Sequence, residues 1–185
     1  QVKSALILSA LNLRGKTKIV EKRNTRDHTE RLMKYLKIKF KKKILSKNST
    51  SIELNGPYEI KPRNITVASD PSSAAFFIVG ALIIPNSHIT LKNISLNKTR
   101  IAFIGVLKKM GGKIKIKKTK TLSGEDVGEI RVSHSSLNGV KINAAMSPYL
   151  IDEYPILSIA ASQARGITIM RGLAELRHKE SDRIK

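Results

Sequence analysis

Seven consecutive residues near the end of the chain could bind an anion and move protons beside it. Residues 177–183 contain two arginines, a lysine, a histidine, a serine and two carboxylates. If a helix begins at Lys179, Arg183 lies one turn further on the same face, and both cations point at one anion. The N-terminus of that helix would add backbone N–H donors, and Glu180 would be a carboxylate in a positive field. The competing interpretation is a solvated charged run whose acids only favour a helix N-terminus.

A second candidate is a pair of carboxylates, Asp152 and Glu153, inside an otherwise apolar stretch at residues 150–157. A carboxylate at the mouth of an apolar helix suits a general base, because partial burial raises its pKa. The competing interpretation is that both acids cap the helix or lie in its first turn, with Pro155 early in the helix.

Polar residues at the other predicted helix starts are weaker candidates. Residues 1–4 include an amide (Gln1), a lysine and a serine hydroxyl, a set that suits a phosphate or a polyol. Arg26 and Arg100 also lie at predicted helix starts, where an arginine is more often structural than ligand-binding. The four histidines lack metal-ligand spacing and the chain has no cysteine, so we predict no metal, no disulfide and no thiol nucleophile.

The elements that would position these residues recur three times along the chain. Each copy has a helix, a strand and the start of a second helix, and the first two copies continue into two further strands. Arg26, Arg100 and Arg177 fall at the same place in the three copies, 74 and 77 residues apart. We therefore predict an α/β fold with mixed strand pairing.

Residues that favour helix ends set several bounds of the predicted helices. Thr25 is the predicted N-cap of the second helix, Asp70 with Pro71 begins the third, and Gly111 with Gly112 ends the fourth. The predicted helices cover residues 2–12, 25–36, 71–84, 100–110 and 151–163, with a sixth beginning at 179. The predicted strands cover residues 17–20, 38–42, 51–54, 64–68, 89–92, 113–117, 128–133 and 167–171.

The net charge of +21, from 35 basic and 14 acidic residues, is typical of proteins that bind nucleic acid. Here lysines are scattered and alternate with isoleucine, as at residues 113–117, which indicates half-exposed strands with a lysine-rich solvent face. Anion binding stays open as the alternative, and it suits phosphorylated substrates as well as nucleic acid. No apolar run reaches the roughly 18 residues of a membrane span. The chain opens with Gln1 rather than Met, so we expect an internal fragment.

Six short motifs occur in a fixed order along nearly the whole chain. They are QVKSA at 1–5, TRDHTERL at 25–32, DPSSAAFF at 70–77, NKTR at 97–100, LIDEYPIL at 150–157 and ELRHKESDRI at 175–184. In this combination the chain resembles the 5-enolpyruvylshikimate-3-phosphate synthase family, an enolpyruvyl transferase family. It departs from the family pattern at His178, where Val is usual, and at Lys98, where Pro is usual.

The resemblance implies a two-domain enolpyruvyl transferase fold, in which each domain holds three copies of a βαβαββ unit. Residues 1–69 would be the end of the first domain and residues 70–185 part of the second. It also implies the reaction: the 5-hydroxyl of shikimate 3-phosphate adds to C2 of phosphoenolpyruvate, C3 gains a proton, and the tetrahedral intermediate then expels phosphate. The early lysine and arginine sites and the late arginines of the family lie outside the chain, so we expect this piece alone to be inactive.

The resemblance implies a role for each matching residue. Asp152 resembles the carboxylate that takes the hydroxyl proton, Glu180 the acid/base at the methylene carbon, and Lys179 a cation between the substrates that can shuttle a proton. The implied substrate-binding residues are Gln1, Arg26, Asp152 and Lys179 for shikimate 3-phosphate, and Gln1 and Arg183 for phosphoenolpyruvate. The implied protein is a cytoplasmic monomer without cofactor, nucleic acid or membrane.

Two rivals stand beside this interpretation. UDP-N-acetylglucosamine enolpyruvyl transferase shares the fold and the phosphoenolpyruvate chemistry, but the first, second and fifth motifs match the shikimate branch. A basic nucleic-acid-binding protein would explain the charge, but the chain lacks aromatic stacking positions and a recognised binding motif.

Overall fold

Two three-stranded antiparallel sheets with equivalent strand order organise the chain, one in each of two units. The computed structural model describes residues 1–23, 25–47 and 49–185. Contacts divide the chain into unit 1, Gln1–Thr66, and unit 2, Val67–Lys185. The domain boundary expected after residue 69 stays a prediction.

Unit 1 packs two helices on one face of its sheet. Its elements are α1 (Val2–Ala10), β1 (Gly15–Glu21), α2 (His28–Tyr35), β2 (Lys41–Ser46) and β3 (Ser49–Gly56). The strand order is β1-β3-β2, with both pairings antiparallel. Ile7 of α1, Met33 of α2 and Ile52 of β3 are buried together in its core. Burial of each such side chain contributes about 1.5–3 kcal/mol to folding.

Unit 2 repeats this arrangement and then begins it again. Its elements are α3 (Pro71–Ile83), β4 (His88–Ser95), α4 (Ala102–Lys109), β5 (Lys113–Leu122), β6 (Glu125–Ser133), β7 (Lys141–Ile142), α5 (Ser147–Leu150), α6 (Tyr154–Ser162) and β8 (Ile169–Met170), with short 3-10 helices at Ala144–Met146 and Ala174–His178. The sheet order is β4-β6-β5, again antiparallel throughout. One core cluster joins α3, α4 and α6 to this sheet.

The internal repeat predicted from the sequence is confirmed by the sheet topology. In both units the first strand of the sheet pairs with the third, and the second strand lies at the other edge. Arg26 and Arg100 each lie two residues before the helix that follows the first strand. Ser69, just before α3, forms a parallel β-bridge with Ile94, in the strand after α3. In the same way β7, before α6, pairs in parallel with β8, after α6. Unit 2 therefore contains one βαβαββ copy and the βαβ start of the next.

Two helix ends, the start of α3 and the end of α4, lie where their local sequences predicted them. Asp70 caps α3 by accepting a hydrogen bond from the backbone N–H of Ser73 at 3.0 Å, with Pro71 at the first helical position. At the end of α4, Gly111 has φ +101°, which a glycine adopts without the steric cost of a side chain. The N–H of Gly112 then bonds the Leu107 carbonyl at 2.9 Å, as in a Schellman motif.

Several predicted bounds are wrong: β2 begins at Lys41 rather than at residue 38, and three further differences have a visible local cause. Residues 64–68 form no strand, because only Ser69 pairs with a neighbour. Thr25 does not cap α2, because its hydroxyl and its N–H both bond Glu21 at the end of β1; Asp27 occupies the N-cap position instead. The helix predicted from residue 151 begins only at Tyr154, because the preceding residues form the separate turn of α5 and three turn residues.

The alternation of lysine and isoleucine behaves as predicted in unit 2. In β5 the side chain of Ile114 is buried and Ile116 is partly buried, while Lys113, Lys115 and Lys117 face solvent. In β2 of unit 1, however, all six residues are exposed, including Ile44. Within the described residues, no helix is both long and apolar enough to cross a bilayer.

The Asp70 cap gives a stability prediction. We expect Asp70→Ala to lower the free energy of unfolding by about 1 kcal/mol, measured by urea unfolding at pH 7. Asp70→Asn should lose less, because asparagine caps as well as aspartate. Both variants lose the ion pair from Arg100 Nη2 to Asp70 Oδ1, which measures 2.6 Å. Wild-type stability in Asp70→Ala would contradict the cap.

The difference in unfolding free energy between wild type and Asp70→Ala should depend on pH, because the fold shifts the pKa of Asp70. Partial burial alone would raise this pKa, but hydrogen bonds from the backbone N–H groups of Ser73 and Ser72, together with the Arg100 charge, lower it below its usual value. A lowered pKa in the fold gives stability that is present above the unfolded value of about 3.9 and lost as pH falls through the folded value. The gap between wild type and Asp70→Ala should therefore shrink towards pH 3.

Candidate active site

Asp152 and Lys179 come together in unit 2, although they are far apart in the sequence. Asp152 lies in the turn between α5 and α6, and Lys179 directly follows the 3-10 helix Ala174–His178. Lys179 Nζ lies 3.6 Å from Asp152 Oδ1, and also 3.6 Å from Oε1 of Glu175. The side chains of Asp152 and Lys179 are 30% and 22% exposed, so solvent reaches the pair. The pair joins a proton acceptor to a cation that could bind an anion beside it.

Glu180 and Arg183 form a second pair close by in the sequence. Arg183 Nη2 donates to Glu180 Oε2 at 2.7 Å. The pKa of Glu180 is lowered, first by the hydrogen bond from its own backbone N–H, then by the hydrogen bond and charge of Arg183, with a smaller effect of Lys179. These contacts all favour the ionised form of Glu180.

The helix predicted from Lys179 does not form in this structure. The backbone of Lys179 is extended, with ψ −168°, and this ends the preceding 3-10 helix. The geometry of a helix start appears later, where Asp182 Oδ1 accepts from the N–H groups of Ile184 and Lys185. Lys179 and Arg183 consequently do not stack on one helix face. One faces Asp152 and the other Glu180.

The predicted site residues of unit 1 lie at the starts of its two helices. Gln1 is the exposed N-cap residue of α1, and its side chain makes no capping hydrogen bond. Arg26 is partly buried in the segment that leads into α2. The site predictions for Gln1, Arg26, Asp152, Lys179, Glu180 and Arg183 as one set stay predictions.

Lys3 and Ser4, by contrast, have partners inside the protein. Lys3 Nζ lies 3.0 Å from Oε1 of the buried Glu30 and donates to the main-chain oxygen of Arg26 at 2.9 Å. The hydroxyl of Ser4 bonds that of Thr29 at 2.6 Å. These two side chains fasten α1 to α2 and the Arg26 segment, and the phosphate or polyol contacts considered for residues 1–4 stay a prediction.

Comparison with known proteins identifies the family. The family model described as EPSP synthase (3-phosphoshikimate 1-carboxyvinyltransferase) matches residues 1–185. The chain belongs to the EPSP synthase family. The 3-phosphoshikimate 1-carboxyvinyltransferases of Sphingopyxis alaskensis and Petrotoga mobilis are 45% identical over 184 residues and 47% identical over 185 residues, respectively. The solved EPSP synthase of Acinetobacter baumannii superposes with TM-score 0.87 at 40% identity over 99% of the chain.

The match to the EPSP synthase family confirms the predicted fold class and the resemblance stated from the six motifs. The chain covers 41% and 42% of the lengths of those two relatives, and 40% of the Acinetobacter baumannii chain. It thus spans about two fifths of the proteins it resembles. Across the described residues, no group of three or more histidines and carboxylates is arranged to hold a metal ion.

One polar network in this EPSP synthase family member was not predicted from the sequence. The carboxylate of Glu153 is 1% exposed, and its Oε1 accepts a hydrogen bond from Ser72 Oγ. Arg100 Nη2 donates to the same serine oxygen at 2.8 Å and to Asp70 Oδ1 at 2.6 Å. The only sequence signal was that Asp70, Ser72 and Arg100 belong to two of the six motifs without a role in the chemistry.

Proposed function

We propose that the intact protein containing this chain transfers the enolpyruvyl group of phosphoenolpyruvate to the 5-hydroxyl of shikimate 3-phosphate and releases phosphate. The observation that carries this proposal is the family match over residues 1–185, with relatives named for this activity at 45–47% identity. The reaction would serve the shikimate pathway, which leads to chorismate and the aromatic amino acids. A cytoplasmic monomer with domains divided near residue 69 is part of the same proposal.

Asp152 is the proposed base of the addition step. The hydroxyl oxygen forms a bond to C2 of phosphoenolpyruvate, its proton goes to the carboxylate, and the C2–C3 π electrons take a proton at C3. Loss of a proton from the new methyl group then restores a double bond as the C2–O bond to phosphate breaks. The position of Lys179 Nζ, 3.6 Å from Asp152 Oδ1, supports a role in which the lysine binds the anionic substrates beside the base.

Glu180 is the proposed acid/base at C3, and Arg183 the proposed ligand of phosphoenolpyruvate. Arg183 contributes to the lowered pKa of Glu180 through its hydrogen bond and its charge. An anion that binds Arg183 would withdraw this positive charge from Glu180 and exclude water, and both effects raise the pKa of a carboxyl group. Substrate binding would thereby prepare Glu180 to donate a proton.

Gln1 and Arg26 are proposed to contact shikimate 3-phosphate from unit 1, and Gln1 to contact phosphoenolpyruvate as well. Both lie at helix starts, where backbone N–H groups and the helix dipole favour an anion. The hydrogen bond from Lys3 to the main-chain oxygen of Arg26 supports this role, because it fixes the segment that carries the arginine.

The proposed function is tested by assaying the purified intact protein with both substrates. We expect one phosphate released for each enolpyruvyl product detected by mass spectrometry, and no product when UDP-N-acetylglucosamine replaces shikimate 3-phosphate. A DNA duplex should bind only weakly at 200 mM salt. Absence of product with both phosphorylated substrates would refute the proposal, whereas tight, salt-steep DNA binding would favour the nucleic-acid alternative.

Arg183→Ala should weaken phosphoenolpyruvate binding about 10- to 100-fold, the value of one or two hydrogen bonds to a charged group. Shikimate 3-phosphate should bind nearly as before, as measured by calorimetry of each ligand. Arg131→Ala is a suitable control, because Arg131 is likewise paired with a glutamate, Glu129, on β6. Equal weakening of both ligands would contradict the assignment.

A further inference from the structure

Glu153 is a buried carboxylate immediately after the proposed base. Glu153 is only 1% exposed, between the buried residues Ile151 and Tyr154, and its N–H donates to the carbonyl of the buried Leu150 at 2.9 Å. Burial of a carboxylate costs several kcal/mol unless hydrogen bonds or charges compensate it. A residue that only began α6 could stay at the surface, as most helix-capping acids do, so the burial of Glu153 requires another explanation.

A hydrogen-bond donor to this carboxylate comes from a different copy of the repeat. Ser72, which donates to Glu153 Oε1, lies 81 residues earlier in the first turn of α3. Its hydroxyl oxygen accepts from Arg100 Nη2, and the same nitrogen donates to Asp70, the cap of α3. A continuous chain of hydrogen bonds therefore runs from the start of α6 through Ser72 and Arg100 to the start of α3.

This chain is anchored at its far end. Arg100 is 15% exposed in its side chain and lies two residues before α4, which packs in the same core. Asp70 is fixed by hydrogen bonds from the N–H and the hydroxyl of Ser73. The backbone N–H of Leu157 donates to the carbonyl of Glu153 at 2.9 Å, which ties the turn to α6. The position of the Glu153 backbone is thus held from both sides.

Asp152 shares a peptide bond with this fixed residue. Its own side chain is 30% exposed, and Lys179 Nζ lies 3.6 Å from its Oδ1. The position of the Asp152 backbone is therefore set in part by the contacts that hold Glu153. A proton acceptor must lie within about 2.6–3.2 Å of its donor, and a misplacement of about 1 Å can cost about 100-fold in rate.

We propose that Glu153 is a positioning residue, which through Ser72 and Arg100 holds the turn that carries Asp152. The proposal rests on the proposed function, because it assumes that Asp152 is the base. It gives a role to the DPSSA and NKTR segments, which the reaction itself does not use. The rival explanation is that the network only stabilises the contact between α3 and α6.

Steady-state kinetics of the intact enzyme separate the two explanations. The variants are Glu153→Ala, Glu153→Gln and Ser72→Ala, with Leu157→Ala as a control that opens the core of α6 but keeps the side chains of the network and the backbone N–H that bonds Glu153. We expect Glu153→Ala to lower kcat about 10- to 100-fold, with KM for each substrate within about threefold of wild type. Glu153→Gln keeps an oxygen that accepts from Ser72, so it should retain most of kcat. Ser72→Ala should lie between them.

The control should lose thermal stability through its core cavity but keep kcat within about threefold, since the hydrogen bonds from Ser72 and from the Leu157 N–H to Glu153 remain. If Glu153→Ala and Ser72→Ala kept wild-type kcat at a temperature where both are folded, the network would be structural only and the proposal would be wrong. If Glu153→Ala failed to fold, Ser72→Ala and Glu153→Gln would decide, because wild-type kcat in Ser72→Ala alone overturns the proposal.

A double-mutant cycle tests whether Glu153 acts through Asp152. In an Asp152→Asn background, Glu153→Ala should lower kcat by less than about twofold, because the base it positions is already absent. An equal loss in both backgrounds would overturn the proposal. Wild-type kcat in Asp152→Asn alone would instead show that the assignment of the base has failed, and no product from any variant or from wild type would show that the function itself has failed.

Discussion

Replacement of Asp152 by asparagine should lower kcat of the intact enzyme by about 10²–10⁴-fold, the usual contribution of a positioned general base. Asparagine has the same shape but cannot accept the hydroxyl proton. The 3.6 Å contact with Lys179 would become weaker without the charge, so KM for shikimate 3-phosphate should rise modestly. KM for phosphoenolpyruvate should hardly change. Single-turnover measurements would assign the loss to the addition step.

Asp126→Asn is the matched control for this experiment. Asp126 on β6 is also an aspartate paired with a lysine, with Lys118 Nζ at 2.8 Å from Oδ1. The same substitution there removes an equivalent ion pair outside the proposed site, and kcat should stay within about twofold because exposed pairs contribute at most about 1 kcal/mol. If Asp152→Asn behaved like this control, Asp152 would be removed from the mechanism.

Each of the two copies of the repeat in unit 2 has an acid at a helix start that faces a cation, and the two pairs differ in distance. In one copy, the acid at the start of α3 faces a cation that follows the next strand, as Asp70 faces Arg100 at 2.6 Å. In the next copy, Asp152 before α6 faces Lys179 after β8, at the longer distance of 3.6 Å. The first pair is short and closes its own network. The second is longer, and its two residues are the ones proposed to contact substrate.

The fold was predictable from the sequence where the deciding contacts are local. The Asp70 cap, the first-turn proline and the glycine stop of α4 act within a few residues, so their types alone set the helix ends. The repeat was predictable because the arginines recur at nearly equal spacing. The strand predicted at residues 64–68 was wrong because an extended, β-branched sequence does not specify which strand it pairs with. The β-bridge formed next to this segment joins Ser69 to Ile94.

The candidate site was less predictable, because its geometry depends on distant residues. The helix predicted from Lys179 was wrong because Asp182 offers the capping oxygen three residues later. The contact between Asp152 and Lys179 requires the chain to return through the parallel pair of β7 and β8. The hydrogen bond from Ser72 to Glu153 joins positions 81 residues apart, and no local pattern marks it.

Glu180→Gln is expected to lower kcat by about 10²–10⁴-fold for a different reason, the loss of the proton that C3 must gain. The decisive measurement is deuterium incorporation from D₂O into the methylene group of phosphoenolpyruvate and product. Reversible addition and elimination place a solvent proton at C3, so Glu180→Gln should lose turnover and deuterium incorporation together. The Gln side chain still accepts from Arg183, which in wild type donates to Glu180 at 2.7 Å, so binding of phosphoenolpyruvate should change little.

The pKa of Glu180 gives a further expectation for the Arg183→Ala variant. Glu180 is held ionised by its own backbone N–H and by Arg183, so Arg183→Ala should raise its pKa towards the usual value of about 4.3. Glu129→Gln, on a glutamate paired with Arg131, is the matched control and should leave exchange and turnover unchanged. Undiminished deuterium incorporation in Glu180→Gln would mean that another group protonates C3. Glu180 would then act only as the partner that orients Arg183, a role that the amide oxygen of Gln retains.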